Sequence, residues 1–285
     1  LTQLEYREEL RQAGKIRYFG GKTEFMARGF FDDVDMAMMV HARGNTPEPT
    51  VAVGGSSLGF VAKTVDFYGK AAHASTPEDG INALNAACAA IMCINAQRET
   101  FRDEDKIRVH PIITNGGELV NIVPSKVTLE TYVRGANFKA IADAAERVDR
   151  AINGAAYAIG AQANIKNHKG YLPLIQNPEI TDAFAENAKS VVGEENIIYG
   201  ENMIGSSDIG DLSHLIPTIQ PCIGGFVGAA HASDFKIADK RAAYIIPALL
   251  MALTAVDILA DEAKLGKTVK NEFKPLLTKE EYCKM

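Results

Sequence analysis

The spacing of apolar positions changes style twice along the chain. Residues 4–13 are charged with a helical period, 15–20 (KIRYFG) alternate as a strand does, and Gly20 and Gly21 break the pattern before a short helix at 22–30. Residues 36–40 form an unbroken apolar run, the signature of a buried parallel strand, which ends at His41. Residues 42–58, rich in Gly, Pro and Ser, predict a crossing linker. The middle of the chain then predicts a strand at 60–68, a helix from about 79 to 98, and strands at 106–113 and 125–134. A helix follows, opened by Asn137 as N-cap with Ile141, Ala145, Val148, Ile152 and Ile159 at helical spacing, and then a strand at 162–168. That order, βαββαβ, is the split βαβ, ferredoxin-like sandwich. After Pro173 the grammar returns to α/β, with a helix at 179–191, a strand at 217–227 and a closing helix at 241–261. The expected fold class is therefore α/β, with one domain made of 1–58 and 173–285 and interrupted by the small sandwich at 59–172.

Composition narrows the function. The 285 residues are 47% hydrophobic and 23% charged, which fits a globular protein and excludes disordered or collagen-like chains. Lys and Arg number 30 against 36 Asp and Glu, for a net charge of −6, and no basic run tracks a phosphate backbone, so no nucleic-acid partner is expected. The longest apolar stretch, 244–260, is interrupted by Pro247 and Asp257 and is read as a buried helix, so no membrane partner is expected either. Cys88, Cys93, Cys222 and Cys283 form no disulfide framework and no CxxC pair, which points to a reducing, cytoplasmic setting. The sequence opens at Leu1, in what reads as the middle of a helix.

Histidines at strand ends carry the candidate chemistry. His41 closes one apolar strand, and His231 follows a segment of glycines and alanines, 224–230, that closes another. Ligands of open α/β sheets bind at such ends, and imidazole is a good ligand for zinc or manganese. A hydrogen-bonded structural role is the alternative for each. His73 stands among small residues before Pro77, as a turn residue or as part of a site. Arg134 ends a strand after Glu130 and Tyr132 on the same face and could grip a carboxylate with its fork, or serve as a solvated edge charge. Residues 55–59 match GxSxG, but a linker precedes and a strand follows, so a serine hydrolase is rejected. Glu8 and Glu9 belong to a solvated helical face.

Five segments together, DDVDMAMMVHA at 32–42, GKAAHASTPEDGINAL at 69–84, GGELVNIVPSKVTL at 116–129 with Arg134, GSSDIGDLS at 205–213 and VGAAHASDF at 227–235, resemble the aminoacylase and glutamate-carboxypeptidase family of dinuclear metallopeptidases. Within it the resemblance is to the amidohydrolase branch, nearest to one of the polypeptides of p-aminobenzoyl-glutamate hydrolase and to related dipeptidase-like proteins. It implies a metal-binding α/β domain interrupted by a ferredoxin-like lid that makes a homodimer or higher oligomer. It implies two divalent ions, zinc or manganese, and hydrolysis of an N-acyl or aminobenzoyl amino acid or a small dipeptide. The alternative is a non-catalytic relative with a binding or regulatory role. His41 and His231 resemble metal ligands. His73 resembles the lid histidine that stabilises the oxyanion, often from the partner protomer. Asn121 and Arg134 resemble the residues that bind the substrate carboxylate.

The family pattern also calls for a His-containing motif well upstream and a proline-alanine-glutamate-glutamate segment after the strand that 15–20 resemble. Here Gly20 runs directly into Gly21. The expectation is that the base and at least two ligands lie in sequence outside these 285 residues. Intact-mass measurement of the protein from its source should then give more than 30.8 kDa, and a mass at that value would refute the expectation.

Overall fold

Strand Gly59–Tyr68 alternates cleanly: Lys63, Val65 and Phe67 point to one side and are buried, while Ala62, Thr64, Asp66 and Tyr68 point to the other. The same alternation buries Val127, Leu129, Thr131 and Val133 of Lys126–Gly135. With Arg108–Asn115 and Gln162–Lys169 these strands make an antiparallel sheet in the order 108–115, 126–135, 59–68, 162–169, so the first and third strands in sequence hold the centre. Helices Ala83–Ala96 and Phe138–Ile159 pack on the buried face, closing a core of Val65, Phe67, Ile94, Leu129, Val148 and Ile152. Each such side chain contributes about 2 kcal/mol on burial. The computed structural model describes residues 4–203 and 205–284. The unit just described is Leu58–Pro173, and Leu1–Ser57 with Leu174–Met285 forms a second unit.

Capping sets the helix limits. Asn137 accepts from the Ala140 amide at 2.8 Å, and Gly160 ends that helix at φ 80°. The first helix begins at Ala83, later than the expected 79, because the Asn82 side chain accepts from the amides of Leu84 and Asn85 while Pro77–Asp79 form a separate 3-10 turn. Lys63 is the one buried charge on the core side of its strand. Its ammonium lies 2.8 Å from the Asp149 carboxylate and 2.7 Å from the Asn167 carbonyl oxygen, which offsets the cost of desolvation.

In the second unit a mixed sheet runs in the order His41–Ala42, Cys222–Ile223, Val51–Val53, Ile197–Tyr199. The apolar run at 36–40 does pair in parallel, through Ala37–Met38 with Thr218–Ile219. Backbone hydrogen bonds continue from Ala37 to Pro217 through Arg43 to Ile223, so His41 lies within this pairing and does not end it. The expected linker contains strand Val51–Val53, which is buried throughout, pairs on both edges, and has helix Pro178–Val192 packed against it. Gly- and Pro-rich flanks hid it.

Two further expectations fail for identifiable reasons. Residues 15–20 form no strand, because the amides of Arg17 and Tyr18 donate to the Glu24 carboxylate at 2.8 and 3.0 Å and so have no sheet partner. The closing helix, Ile246–Glu272, is preceded by a π-helical turn at Arg241–Ile245 and interrupted by left-handed residues at 261–263. It is buried on one face only: Ile246, Leu250, Thr254 and Ile258 face the core, while Tyr244, Ile245, Val256 and Leu259 are exposed. By length and composition alone, the helical stretch Arg241–Glu272 is long and apolar enough to cross a membrane.

Burial raises the Glu24 carboxyl, but the Arg17 and Tyr18 amides and the Arg28 guanidinium outweigh it and hold the group below its usual range of about 4.5. Its folded value is depressed, so its contribution is present above the unfolded value and is lost as pH falls through the folded one. Glu24→Gln should cost about 1–2 kcal/mol at pH 7. In urea unfolding, the gap between wild type and variant should close as pH drops below about 4.5. A gap that persists at low pH would contradict this.

Candidate functional site

The His73 segment is a closed loop. Lys70 and Ile81 exchange both backbone hydrogen bonds at 2.9 Å and pinch off residues 70–81. The loop is laced to the segment before strand Lys126–Gly135: Val123 donates to the Ala72 carbonyl and Ala74 to the Asn121 carbonyl, each at 2.9 Å. His73 and Asn121 are therefore brought side by side, both exposed. The Ser75 amide donates to His73 Nδ1 at 3.1 Å, and the Ser75 hydroxyl lies 2.7 Å from the same nitrogen. A ring nitrogen that accepts an amide hydrogen carries none itself, so in the neutral ring the proton is on Nε2, which is left as an outward donor.

Arg134 stands at the other end of its strand, on the sheet face opposite the helices. Its guanidinium lies 5.1 Å from the Phe60 ring centre and 5.3 Å from that of Tyr132, and the two rings are 4.8 Å apart. Tyr171 meets Phe60 edge-on at 5.5 Å. Half-burial lowers the Arg134 pKa from its ordinary value, with Tyr132 opposing that shift. A flat, partly desolvated guanidinium fixed against aromatic faces is a strong site for a carboxylate.

The pairing of Gly59–Tyr68 with Lys126–Gly135 runs unbroken from Tyr68 and Lys126 at one end to Gly59 and Gly135 at the other. His73 and Asn121 adjoin the first end, and Arg134 lies at the second. At about 3.3 Å per residue, the eight steps from Lys126 to Arg134 span roughly 26 Å. Within one chain, Asn121 and Arg134 are not brought together, nor are His73 and Arg134.

In the other unit, His41 donates from Nδ1 to the neighbouring Ala42 carbonyl at 2.8 Å, which leaves the Nε2 lone pair as an acceptor. His231 is exposed and holds a left-handed backbone, φ 68°. The two segments meet: Asn45 donates to the Gly228 carbonyl at 3.0 Å and Thr46 to that of Phe226 at 2.9 Å. Gly44 admits the Ala230 backbone so closely that a Cβ there would stand 3.0 Å from the Ala230 nitrogen. The chemistry of His41 suits one ligand position on a divalent ion. Among the described residues, however, no three His, Cys, Asp or Glu side chains group as a metal cluster. The histidine pair therefore fits as part of a ligand set and does not make one alone.

Cys222 pairs in register with His41, and burial pushes its thiol up to about 11, so it stays protonated and inert near neutrality. Ser56 donates to the Leu174 carbonyl, and Ser57 accepts from the Leu174 amide. A strand does precede this GxSxG match, but the next element is strand Gly59–Tyr68, so the geometry of a nucleophile elbow is missing. Within GSSDIGDLS two contacts went unforeseen. Asp208 takes the amide of Lys22 at 3.0 Å and its ammonium, and fully buried Asp211 accepts from the hydroxyl of fully buried Tyr282 at 2.8 Å.

Comparison with known proteins gives these arrangements a setting. Residues 55–160 match the peptidase dimerisation domain of the M20 family. The chain is 30% identical over 275 residues to the Xaa-Arg dipeptidase of Mus musculus, covering 92% of this chain and 61% of the relative. It is 34% identical over 151 residues to one polypeptide of the p-aminobenzoyl-glutamate hydrolase of Escherichia coli, covering 51% of this chain and 34% of the relative. A dinuclear metal binding peptidase of the M20 family from Bacillus subtilis shares the fold, with a TM-score of 0.66 at 20% identity, over 83% of this chain and 60% of that one. The chain thus spans about three fifths of the length of the dipeptidase it matches.

The tautomer of His73 is directly measurable. In nitrogen-detected NMR of the imidazole at neutral pH, Nε2 should carry the proton and Nδ1 should show the signature of an accepting lone pair. Protonated Nδ1 in the neutral ring would refute the assignment.

Proposed function

The chain is a homologue of the M20 metallopeptidases that carries their dimerisation domain, and on that premise we propose that it serves a metal-dependent amidohydrolase. The substrate is an N-acyl or aminobenzoyl amino acid or a small dipeptide, cleaved at the amide, and the protein is cytoplasmic. The observation that carries this reading is the His73 loop, whose backbone lacing and Ser75 contact present an Nε2–H donor beside Asn121.

In this reading His41 and His231 are ligands to zinc or manganese, and the bound ions supply carbonyl polarisation and an activated water. His73 donates Nε2–H to the oxygen of the scissile carbonyl as it gains charge, a contribution of about 3 kcal/mol for a well-placed donor. Arg134, held against Phe60 and Tyr132, grips the free carboxylate of the leaving amino acid and orients it. The roughly 26 Å of strand between the His73 end and Arg134 supports a shared site, in which His73 and Asn121 of one protomer reach into the site of its partner while Arg134 serves its own. That gives a homodimer or larger assembly a catalytic reason.

Two experiments test this. Full-length protein purified without chelator should bind divalent metal and hydrolyse N-acyl amino acids with zinc or manganese. Less than about one ion per chain together with no hydrolysis would leave the non-catalytic binding or regulatory role in its place. His73→Ala should lower turnover far more than metal content, and equal losses would make His73 a ligand. Mixing His73→Ala with His231→Ala, each inactive alone, should recover roughly a quarter of wild-type activity, since a heterodimer of a two-fold assembly keeps one intact site. Failure to complement would place all the groups in one chain.

A further inference from the structure

Register sets a second arginine beside the first. Across the three neighbouring strands, Phe60, Arg134 and Arg108 stand in one row, and Ala62, Tyr132 and His110 form the next. Val109 and Val133, also paired, are buried against the helices, so both arginines project from the opposite face. Side chains directly opposed in this way have Cβ atoms about 4.5–5.5 Å apart, and like charges so placed destabilise the sheet. The acidic residues of this face lie farther along: Glu130 pairs with Thr64 and Ile112, and Asp66 is engaged by Thr128 at 2.7 Å and Lys126 at 3.9 Å. Arg108 is exposed and spends one nitrogen on the Ile107 carbonyl at 2.9 Å, which leaves most of its five donors for a ligand. Two guanidinium forks on adjoining stems repel each other until a dianion enters, and they then bind it together.

We propose that Arg108 is a specificity-determining residue that takes a second carboxylate, so that the preferred leaving group is a dicarboxylic amino acid, aspartate or glutamate. The inference rests on the reading that Arg134 holds the main-chain carboxylate of that group, and it adds the side-chain carboxylate for Arg108. A leaving group with a neutral side chain gives Arg108 nothing to neutralise. One with a cationic side chain adds a third positive charge to the row.

Calorimetric titration of the 285-residue chain with N-acetyl-L-glutamate, N-acetyl-L-glutamine and N-acetyl-L-arginine tests this without requiring hydrolysis. The glutamate ligand should bind roughly tenfold more tightly than the glutamine one, and the arginine ligand most weakly. Arg108→Gln should bring the glutamate ligand down to the affinity of the glutamine one, Arg108→Lys should restore part of the difference, and Arg134→Gln should weaken all three. Equal affinities for the glutamate and glutamine ligands, tighter binding of the arginine ligand, no binding of any, or an equal loss for all ligands in Arg108→Gln would each overturn the proposal. Circular dichroism of the variants separates loss of binding from loss of fold. Preference without hydrolysis would fault the amidohydrolase reading and leave this one standing, and hydrolysis without preference would do the reverse.

Discussion

The antiparallel pairing of Gly59–Tyr68 with Lys126–Gly135 governs what this chain can do. Its register is pinned by alternation. A slip of one residue would turn Val65, Phe67, Leu129 and Val133 out to solvent and drive Arg134 into the core, at a cost of several buried side chains. Because slippage is so costly, the ladder acts as a rigid ruler. It carries the His73 loop and Asn121 at one end and the Arg134 clamp at the other, and no side-chain motion closes that interval. Chemistry that needs both ends must then recruit a second copy, which is why a sheet that looks like plain scaffolding bears on catalysis.

The two histidines of interest also show how one backbone group decides a role. At His41 a carbonyl accepts from Nδ1, so Nε2 keeps its lone pair and the ring is suited to a cation. At His73 an amide donates to Nδ1, so Nε2 keeps its proton and the ring is suited to an anion or a developing oxyanion. The residue type is the same and the preferred ligands carry opposite charge. Neither outcome follows from a histidine in a motif until its main-chain neighbour is known.

What was legible in the sequence follows the length and amphipathicity of each element. The long strands and helices of the inserted unit, with alternation over eight to ten residues and Asn caps, were readable nearly to their ends. The other unit is built from strands of two or three residues, such as Val51–Val53 and Cys222–Ile223, too short to establish a period, and one of them is flanked by the very Gly and Pro residues that signal a linker. Residues 15–20 alternate convincingly, yet a single carboxylate, Glu24, captures the amides that a sheet would need. Among the candidate site residues, the pairing of His73 with Asn121 and the distance to Arg134 depend on long-range register. The motif named these residues, but their distances from one another lie only in the folded chain.

The segment GSSDIGDLS shows the converse, a motif whose polar residues act as fasteners. Asp208 holds the start of helix Gly21–Ala27 by both the amide and the ammonium of Lys22. Three residues on, Asp211 is wholly buried and accepts from Tyr282, whose ring lies 5.7 Å from that of Tyr18. Burial, reinforced by the Asp211 carboxylate, pushes the Tyr282 hydroxyl far above its usual range, so it remains a proton donor at any physiological pH. A carboxylate held this way cannot serve as a base, because its lone pairs are committed to a phenol that never ionises. Both aspartates thus tie distant parts of the chain, residues 18–27 and the last helix, Lys279–Lys284, to one short helix, Ile209–Ser213. Spacing alone would rank them among the reactive carboxylates, and their partners assign them to the frame that holds the His41 unit together.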